Sequence, residues 1–267
     1  MENLNLVLTV LGGLAIFVYG MGLMSDGLKE IAGEKLKSAL GYMTRNRFFA
    51  IFAGTVVTAL IQSSSATSVM TVGFVNAGLL SLKQAIGVIF GANIGTTITG
   101  QIVSFKLDDI ALPAITLGVV GLMIAKRVFS RGIWRTVLGF GLLFFGMTIM
   151  STELKELAAE PGFKKFFEIF DCTPQQGSGY MPVLSVLGAI AVGTLCTILV
   201  QSSSATIGIT IALANSGVIS VWSAIPIVLG DNIGTTITAA FAAIGAKPTP
   251  DARRSPTRCS IFSEPFG

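Results

Sequence analysis

Apolar residues run along this chain in seven stretches, 4–24, 48–80, 84–103, 110–125, 136–150, 182–217 and 221–246, with most of the charge between them. A helix that crosses the bilayer hydrocarbon needs about 20 residues, so most of these stretches predict one transmembrane helix each. Stretches 48–80 and 182–217 are too long for one crossing and cramped for two. Each is interrupted near its middle by the same six residues: Gln62-Ser63-Ser64-Ser65-Ala66-Thr67 returns letter for letter as Gln201-Ser202-Ser203-Ser204-Ala205-Thr206. Two half-helices that dip into the membrane and return, with the motif at the tip, account for both length and polarity. Non-helical backbone survives at that depth only when buried in protein or lining a wet cavity.

The second copy lies 139 positions after the first, and a second motif keeps the same offset: Gly91-Ala92-Asn93-Ile94-Gly95-Thr96-Thr97 returns as Gly230-Asp231-Asn232-Ile233-Gly234-Thr235-Thr236. Aligned without a gap, 54–97 and 193–236 agree at 22 of 44 positions, which marks a duplicated unit. A shorter echo, Gly20 to Ser25 against Gly146 to Ser151, has an offset of 126, so the second copy carries 13 extra residues. These fall in the polar stretch 158–181, an expected extramembrane loop in which Cys172 should be open to an impermeant thiol reagent. The division expected is a first transmembrane repeat over 1–130, a second, inverted and incomplete one over 131–246, and an irregular tail over 247–267. That tail holds four prolines and reads as the aberrant ending of a chain cut short.

Composition narrows the class. The chain is 52% hydrophobic and 12% charged, where a soluble domain carries about 25% charged residues. Segment 25–47 has five Lys and Arg, and 126–135 has four with no acid, while 151–181 has three bases against five acids. The positive-inside rule then places 25–47, Lys83 and 126–135 in the cytoplasm and 104–109 and 151–181 outside. The N-terminus is outside and the C-terminus inside, with 4–24 a retained helix. The two hairpins enter from opposite faces. The fold class is therefore an all-α polytopic membrane protein of inverted-topology repeats in the cytoplasmic membrane, each with a re-entrant hairpin and a broken helix. The net charge of +4 lies in the loops and points to the lipid bilayer, not to nucleic acid. There is no histidine and no Gly-x-Ser-x-Gly, which removes serine-hydrolase chemistry; Cys172, Cys196 and Cys259 lack metal-site spacing. No enzyme and no organic cofactor is expected.

The motifs carry the chemistry. At a hairpin tip a new half-helix begins, and its free N–H groups with the positive end of its dipole form an anion site. Gln62, Ser63, Ser64, Ser65 and Thr67, with Gln201, Ser202, Ser203, Ser204 and Thr206, add donors suited to a tetrahedral oxyanion. Small polar residues also let membrane helices pack closely; two identical copies on oppositely directed hairpins favour binding. The Gly-x-Asn-Ile-Gly-Thr-Thr motifs predict local unwinding, aided in the second copy by Pro226. Unwound carbonyls with Asn93, Thr96, Thr97, Asn232, Thr235 and Thr236 would form a hard-oxygen cage for sodium, the only metal expected. Asp231, opposite Ala92, is the one ionisable residue placed in the membrane core, a position where an acid is expensive and by default functional. No Arg or Lys lies near either motif, so a bound anion is neutralised by co-bound cations, which favours cation-coupled symport over an anion channel.

Paired Gln-Ser-Ser-Ser motifs in inverted repeats, each followed by Gly-x-Asn-Ile-Gly-Thr-Thr, resemble the type II sodium/phosphate cotransporter family and its bacterial members over residues 4–246. The resemblance implies sodium-coupled movement of inorganic phosphate, with Gln62 to Ser65 and Gln201 to Ser204 in the substrate and sodium region. The family's final transmembrane helices and appended cytoplasmic domain have no counterpart here, and export is open as well as import. Other expectations from the same architecture are a sulfate or dicarboxylate carrier, or a non-transporting membrane subunit.

Overall fold

The computed structural model describes residues 2–32, 46–105, 107–158, 165, 167–174 and 179–245; Lys35, Lys37, Arg45 and the tail 247–267 fall outside them. The described residues form nine main helices: α1 (Glu2–Ala32), α2 (Arg47–Ile61), α3 (Ser64–Asn76), α4 (Leu82–Ser104), α5 (Asp108–Ile124), α6 (Val128–Leu157), α7 (Val183–Val200), α8 (Ser203–Asn215) and α9 (Val221–Gly245). Four segments, Asn5–Ala32, Leu82–Ser104, Val128–Leu157 and Val183–Val200, are long and apolar enough to cross a membrane. The chain is an all-helical polytopic membrane protein.

Lipid tails are as apolar as leucine, so burial of hydrophobic surface does not drive helices together in a bilayer; close van der Waals packing does. This chain achieves it with glycines. Gly13, Gly20 and Gly27 of α1, spaced by seven, meet Gly146, Gly139 and Gly132 of α6. The order of these pairs makes α1 and α6 antiparallel. A Cβ on Gly20 would lie 2.5 Å from Leu143 N and 2.8 Å from Gly139 O, so the two backbones touch. Phe17, Met21, Met24, Leu143, Phe144 and Met150 fill the core on either side of that seam. At one end the Arg135 guanidinium pairs with Glu30 across it.

Glycine also sets the second kind of contact. A Cβ on Gly91 would overlap the Ile51 carbonyl, and one on Gly95 would come within 2.6 Å of Thr55 O, so α4 runs parallel to and against α2. Gly230 and Gly234 repeat this against Ile190 and Thr194, which sets α9 parallel to α7. The expected unwinding at these glycines is not found. α4 is helical through 91–97 and α9 through 230–236, Pro226 included. The glycines are there because a neighbouring backbone takes the space of their side chains, not because the helix opens.

The breaks fall elsewhere, at the serine motifs. α2 ends at Gln62 and α7 at Gln201, with φ of 58° and 57°, the only non-glycine left-handed residues described. Such a conformation costs roughly 1–2 kcal/mol, and its recurrence at both motifs marks the break as a built feature. Ser63 and Ser202 follow in extended backbone and cap α3 and α8, accepting from Ala66 N at 3.2 Å and Ala205 N at 3.3 Å. α3 then packs on α9 and α8 on α4, so each second half-helix crosses to the other repeat.

The loop cysteine is a correction. Cys172 is buried, and its N–H donates to Ser223 Oγ at 3.0 Å. Asp171 beside it accepts from Thr173 Oγ1 at 2.7 Å, Thr173 N at 3.1 Å and Ser220 Oγ at 3.2 Å, which ties the loop to the start of α9. The Thr173 hydroxyl, helped by these other donors, holds the Asp171 carboxyl below its ordinary range, and burial pushes the Cys172 thiol up. A carboxyl with a depressed folded pKa stabilises at all pH values above its unfolded pKa, and that contribution disappears as pH falls through the folded one. The tether therefore holds at neutral pH and loosens only under strong acid.

Two outcomes follow from this packing. Gly20→Ala should destabilise the detergent-solubilised protein by about 1–3 kcal/mol through overpacking. Gly22→Ala, whose Cβ meets nothing within 4 Å, should be neutral or stabilise by about 0.5–1 kcal/mol. Equal effects in thermal unfolding would contradict the seam. At the loop, Cys172 of the native protein should react slowly with maleimide, and Asp171→Ala should raise that rate severalfold; rapid labelling of the unmodified chain would show that the tether does not exist.

Candidate functional site

The two serine motifs, 139 positions apart in sequence, meet. Ser64 Oγ and Ser203 Oγ, the middle serines of the two tips, lie 2.8 Å apart and hydrogen-bond directly. Both are buried, at 2% and 4% exposure. Each is the first helical residue of its half-helix, so two helix N-termini face one another across this contact. Their first-turn N–H groups have no carbonyl one turn back, and both dipoles place positive charge there. The centre thus brings the positive ends of two helices and their first-turn donors together from two sides.

Around it the repeats hold matching polar ladders. Thr58 Oγ1 donates to Thr67 Oγ1 at 2.9 Å, and Thr67 Oγ1 to Ser63 O at 3.1 Å. The second repeat places Thr197 Oγ1 3.2 Å from Thr206 Oγ1, which donates to Ser202 O at 3.2 Å. Ser204 is buried and Ser65 half-buried beside the middle serines. The glutamines differ: Gln62 is buried and accepts from Thr99 Oγ1 at 2.7 Å, whereas Gln201 is exposed and donates to Ile198 O at 2.7 Å. Thr58, Thr197 and Thr99 were not singled out in the sequence, although Thr58 and Thr197 are a matched pair at the 139 offset, which is the signal that could have found them.

The residues expected to hold sodium are divided. Asp231 is wholly buried, and its Oδ1 accepts from Thr197 Oγ1 at 2.6 Å, one residue away from the second tip's own ladder. Its Oδ2 is buried without a hydrogen-bond partner. Thr96 and Thr235 are buried, with hydroxyls spent on Ala92 O at 3.1 Å and Asp231 O at 3.0 Å one turn back. Asn93 and Asn232 are half-buried. Thr97 and Thr236 lie on the exposed faces and donate to Ile94 O and Asn232 O of their own helices, so the structure does not bring them to the tips. With both helices unbroken, no unwound carbonyls form a cage; Asp231 is the strongest cation ligand in the region.

Known proteins are similar to this chain in sequence. YqeW of Bacillus subtilis is 32% identical over 231 residues, covering 85% of this chain and 70% of its own length. A protein of Escherichia coli K12 named "Putative inorganic phosphate export protein YjbB" is 26% identical over 233 residues, 87% of this chain but 41% of that one. Human "Sodium-dependent phosphate transport protein 2B" is 31% identical over 105 residues, 39% of this chain and 15% of the human protein. The chain thus spans under half the length of the relatives whose names state a function. No solved structure matches it. The Na+/Pi-cotransporter family matches residues 16–152 and 183–249, a range that takes in both serine motifs and both glycine-asparagine motifs. On that match the chain belongs to the Na+/Pi-cotransporter family.

Proposed function

We propose that the protein is a sodium-coupled symporter of inorganic phosphate, with the anion held between the two serine tips and sodium supplying the compensating charge near Asp231. The observation that carries this reading is the Ser64–Ser203 contact, where two half-helix N-termini converge. The helices that bear the motifs have basic residues only at Arg47 and Lys83, within the first two positions of α2 and α4. Among the described residues of these helices a phosphate at the tips therefore has no side-chain cation beside it, and cation coupling fills that role. In the direct contact the two hydroxyl oxygens leave no space between them, so an anion bonded to both must part the tips. Parting them costs one neutral hydrogen bond, about 1 kcal/mol, whereas each bond to a charged oxygen contributes about 1.5–3 kcal/mol. Two such bonds outweigh the one lost.

The inverted-repeat reading supports alternating access to this centre. Helices α1 and α6 are repeat equivalents and run antiparallel, and the pair Gly13–Gly146 maps onto Gly139–Gly20 under the 126 offset. Such a swap is what a two-fold axis perpendicular to both helices would produce, which supports the inverted-repeat reading. Parallel α2 and α4 joined through α3, with only 77–81 between α3 and α4, support a hairpin that returns to its own side. The charge pattern favours an N-terminus outside. A symporter works in either direction according to its gradients, and the name of the Escherichia coli relative makes export the second reading.

The test is uptake into proteoliposomes of the purified chain, with labelled phosphate, sulfate and succinate under sodium or potassium gradients. Sodium-dependent phosphate uptake is expected. Ser64→Ala and Ser203→Ala should each weaken apparent phosphate affinity by roughly tenfold to a hundredfold. The double variant should be less than additive, because both serines act on one anion and on each other. Near-normal uptake by both single variants would contradict the site, and uptake of sulfate or succinate in place of phosphate would reassign the substrate.

A further inference from the structure

Where α2 and α4 begin, the structure leaves a cavity of about 730 Å³ that the transport reading does not use. The 15 residues of α2 separate it from the first serine tip by about 22 Å of helix. Its polar lining stands at the helix starts: Asn46 before α2, Ser81 before α4, and Lys83 at the second position of α4. Its apolar lining lies further in. Ile51 and Ile86 are four residues past the helix starts and Phe90 is eight, which puts them roughly 6–12 Å deeper.

That order follows the profile of a bilayer. α4 is long and apolar enough to cross a membrane, so its start lies at one membrane face and Phe90 lies within the hydrocarbon. Ile86 and Phe90 are about half exposed, so the apolar part of the cavity opens towards lipid rather than into the protein.

The polar end is positive throughout. α2 and α4 run parallel, so the positive ends of both dipoles lie side by side here. From Asn46 to Ser104 the sequence holds no Asp or Glu, and its two bases, Arg47 and Lys83, both fall at these helix starts. Lys83 is exposed and has no ion-pair partner among the described residues. Ser81 is committed to a capping box with Gln84, whereas Asn46 makes no side-chain cap bond to α2. The Asn46 amide and the Lys83 ammonium are therefore the groups available to an outside acceptor.

We propose that this cavity binds one anionic phospholipid, its headgroup phosphate at Lys83 and Asn46 and an acyl chain along Ile86 and Phe90. A basic residue at the membrane surface attracts anionic lipid, and no carboxylate on these helices pairs with the ammonium of a zwitterionic headgroup. A free anion gains nothing from Ile86 and Phe90, and at an exposed lysine alone its attraction is screened by salt. The apolar half is what selects a lipid over a soluble phosphate.

The experiment titrates the purified full chain in mild detergent with phosphatidylglycerol and with phosphatidylcholine of the same acyl chains, and reads lipid binding by native mass spectrometry. Phosphatidylglycerol should bind more tightly. Lys83→Gln should weaken its binding by about fivefold, the worth of one base beside an anionic lipid, and should leave phosphatidylcholine unchanged. Lys83→Arg should keep the preference. Lys126→Gln removes an exposed base beyond the end of α5 and outside the cavity, and should also keep it. Phe90→Ala should weaken both lipids alike. Equal binding of the two lipids, an unchanged preference in Lys83→Gln, or an equal loss in Lys126→Gln overturns the site. Displacement of bound lipid by glycerol phosphate or inorganic phosphate would show a site for free anions and overturn the lipid assignment.

Discussion

Two helix N-termini do not meet inside a protein without a reason. Their dipoles present like charge to each other, and their first-turn N–H groups compete for the same acceptors. Here the encounter is bridged by one hydrogen bond between Ser64 and Ser203. Every larger feature of the chain serves to bring it about: the left-handed glutamines that stop α2 and α7, the capping serines that start α3 and α8, and the crossing of each second half-helix onto the other repeat. An arrangement that repels itself is stable when the packing around it is rigid, and an anion bound at the proposed site would relieve it.

The rigidity comes from glycine. The seam of α1 against α6 brings backbones into contact along three glycine pairs, and the α2–α4 and α7–α9 contacts repeat the device. In lipid this close packing substitutes for hydrophobic burial. It also fixes the mutual orientation of the two repeats, since Gly208 of α8 presses on the Phe17 ring of α1 in the core beside the seam. A tip displaced by one side chain would lose contact with its partner. The second repeat adds an acid to this frame: Asp231 accepts from Thr197 of the tip ladder, where the first repeat has Ala92.

Much of this was legible. The identical six-residue motifs located both breaks and the facing serines, because a run of hydroxyls in an apolar stretch is informative whatever surrounds it. The burial of Asp231 followed from its place in an apolar helix. The glycines of Gly-x-Asn-Ile-Gly-Thr-Thr misled, since glycine serves both an open helix and a close contact, and only the neighbour's position distinguishes them. That neighbour, α2 or α7, was predicted as part of a hairpin, but its parallel path against α4 or α9 was not. The seven-residue spacing of Gly13, Gly20 and Gly27, and of Gly132, Gly139 and Gly146, was present in the sequence and marks a helix face. Thr197 was invisible alone: its hydrogen-bond partner is a carboxylate 34 positions away. Cys172 was misplaced because polarity of a loop says nothing of what the loop docks against.

The most direct measurement is disulfide formation between the tips. In a chain whose Cys172, Cys196 and Cys259 are replaced by alanine, Ser64→Cys and Ser203→Cys are introduced together, and cross-linking under mild oxidant is followed by the mobility of fragments cleaved in the 158–181 segment. Contact between the tips predicts rapid cross-linking without phosphate and slower cross-linking when saturating phosphate and sodium part them. Two thiols that each react with a soluble reagent yet never join would show that the tips do not meet, and the site as described would be wrong.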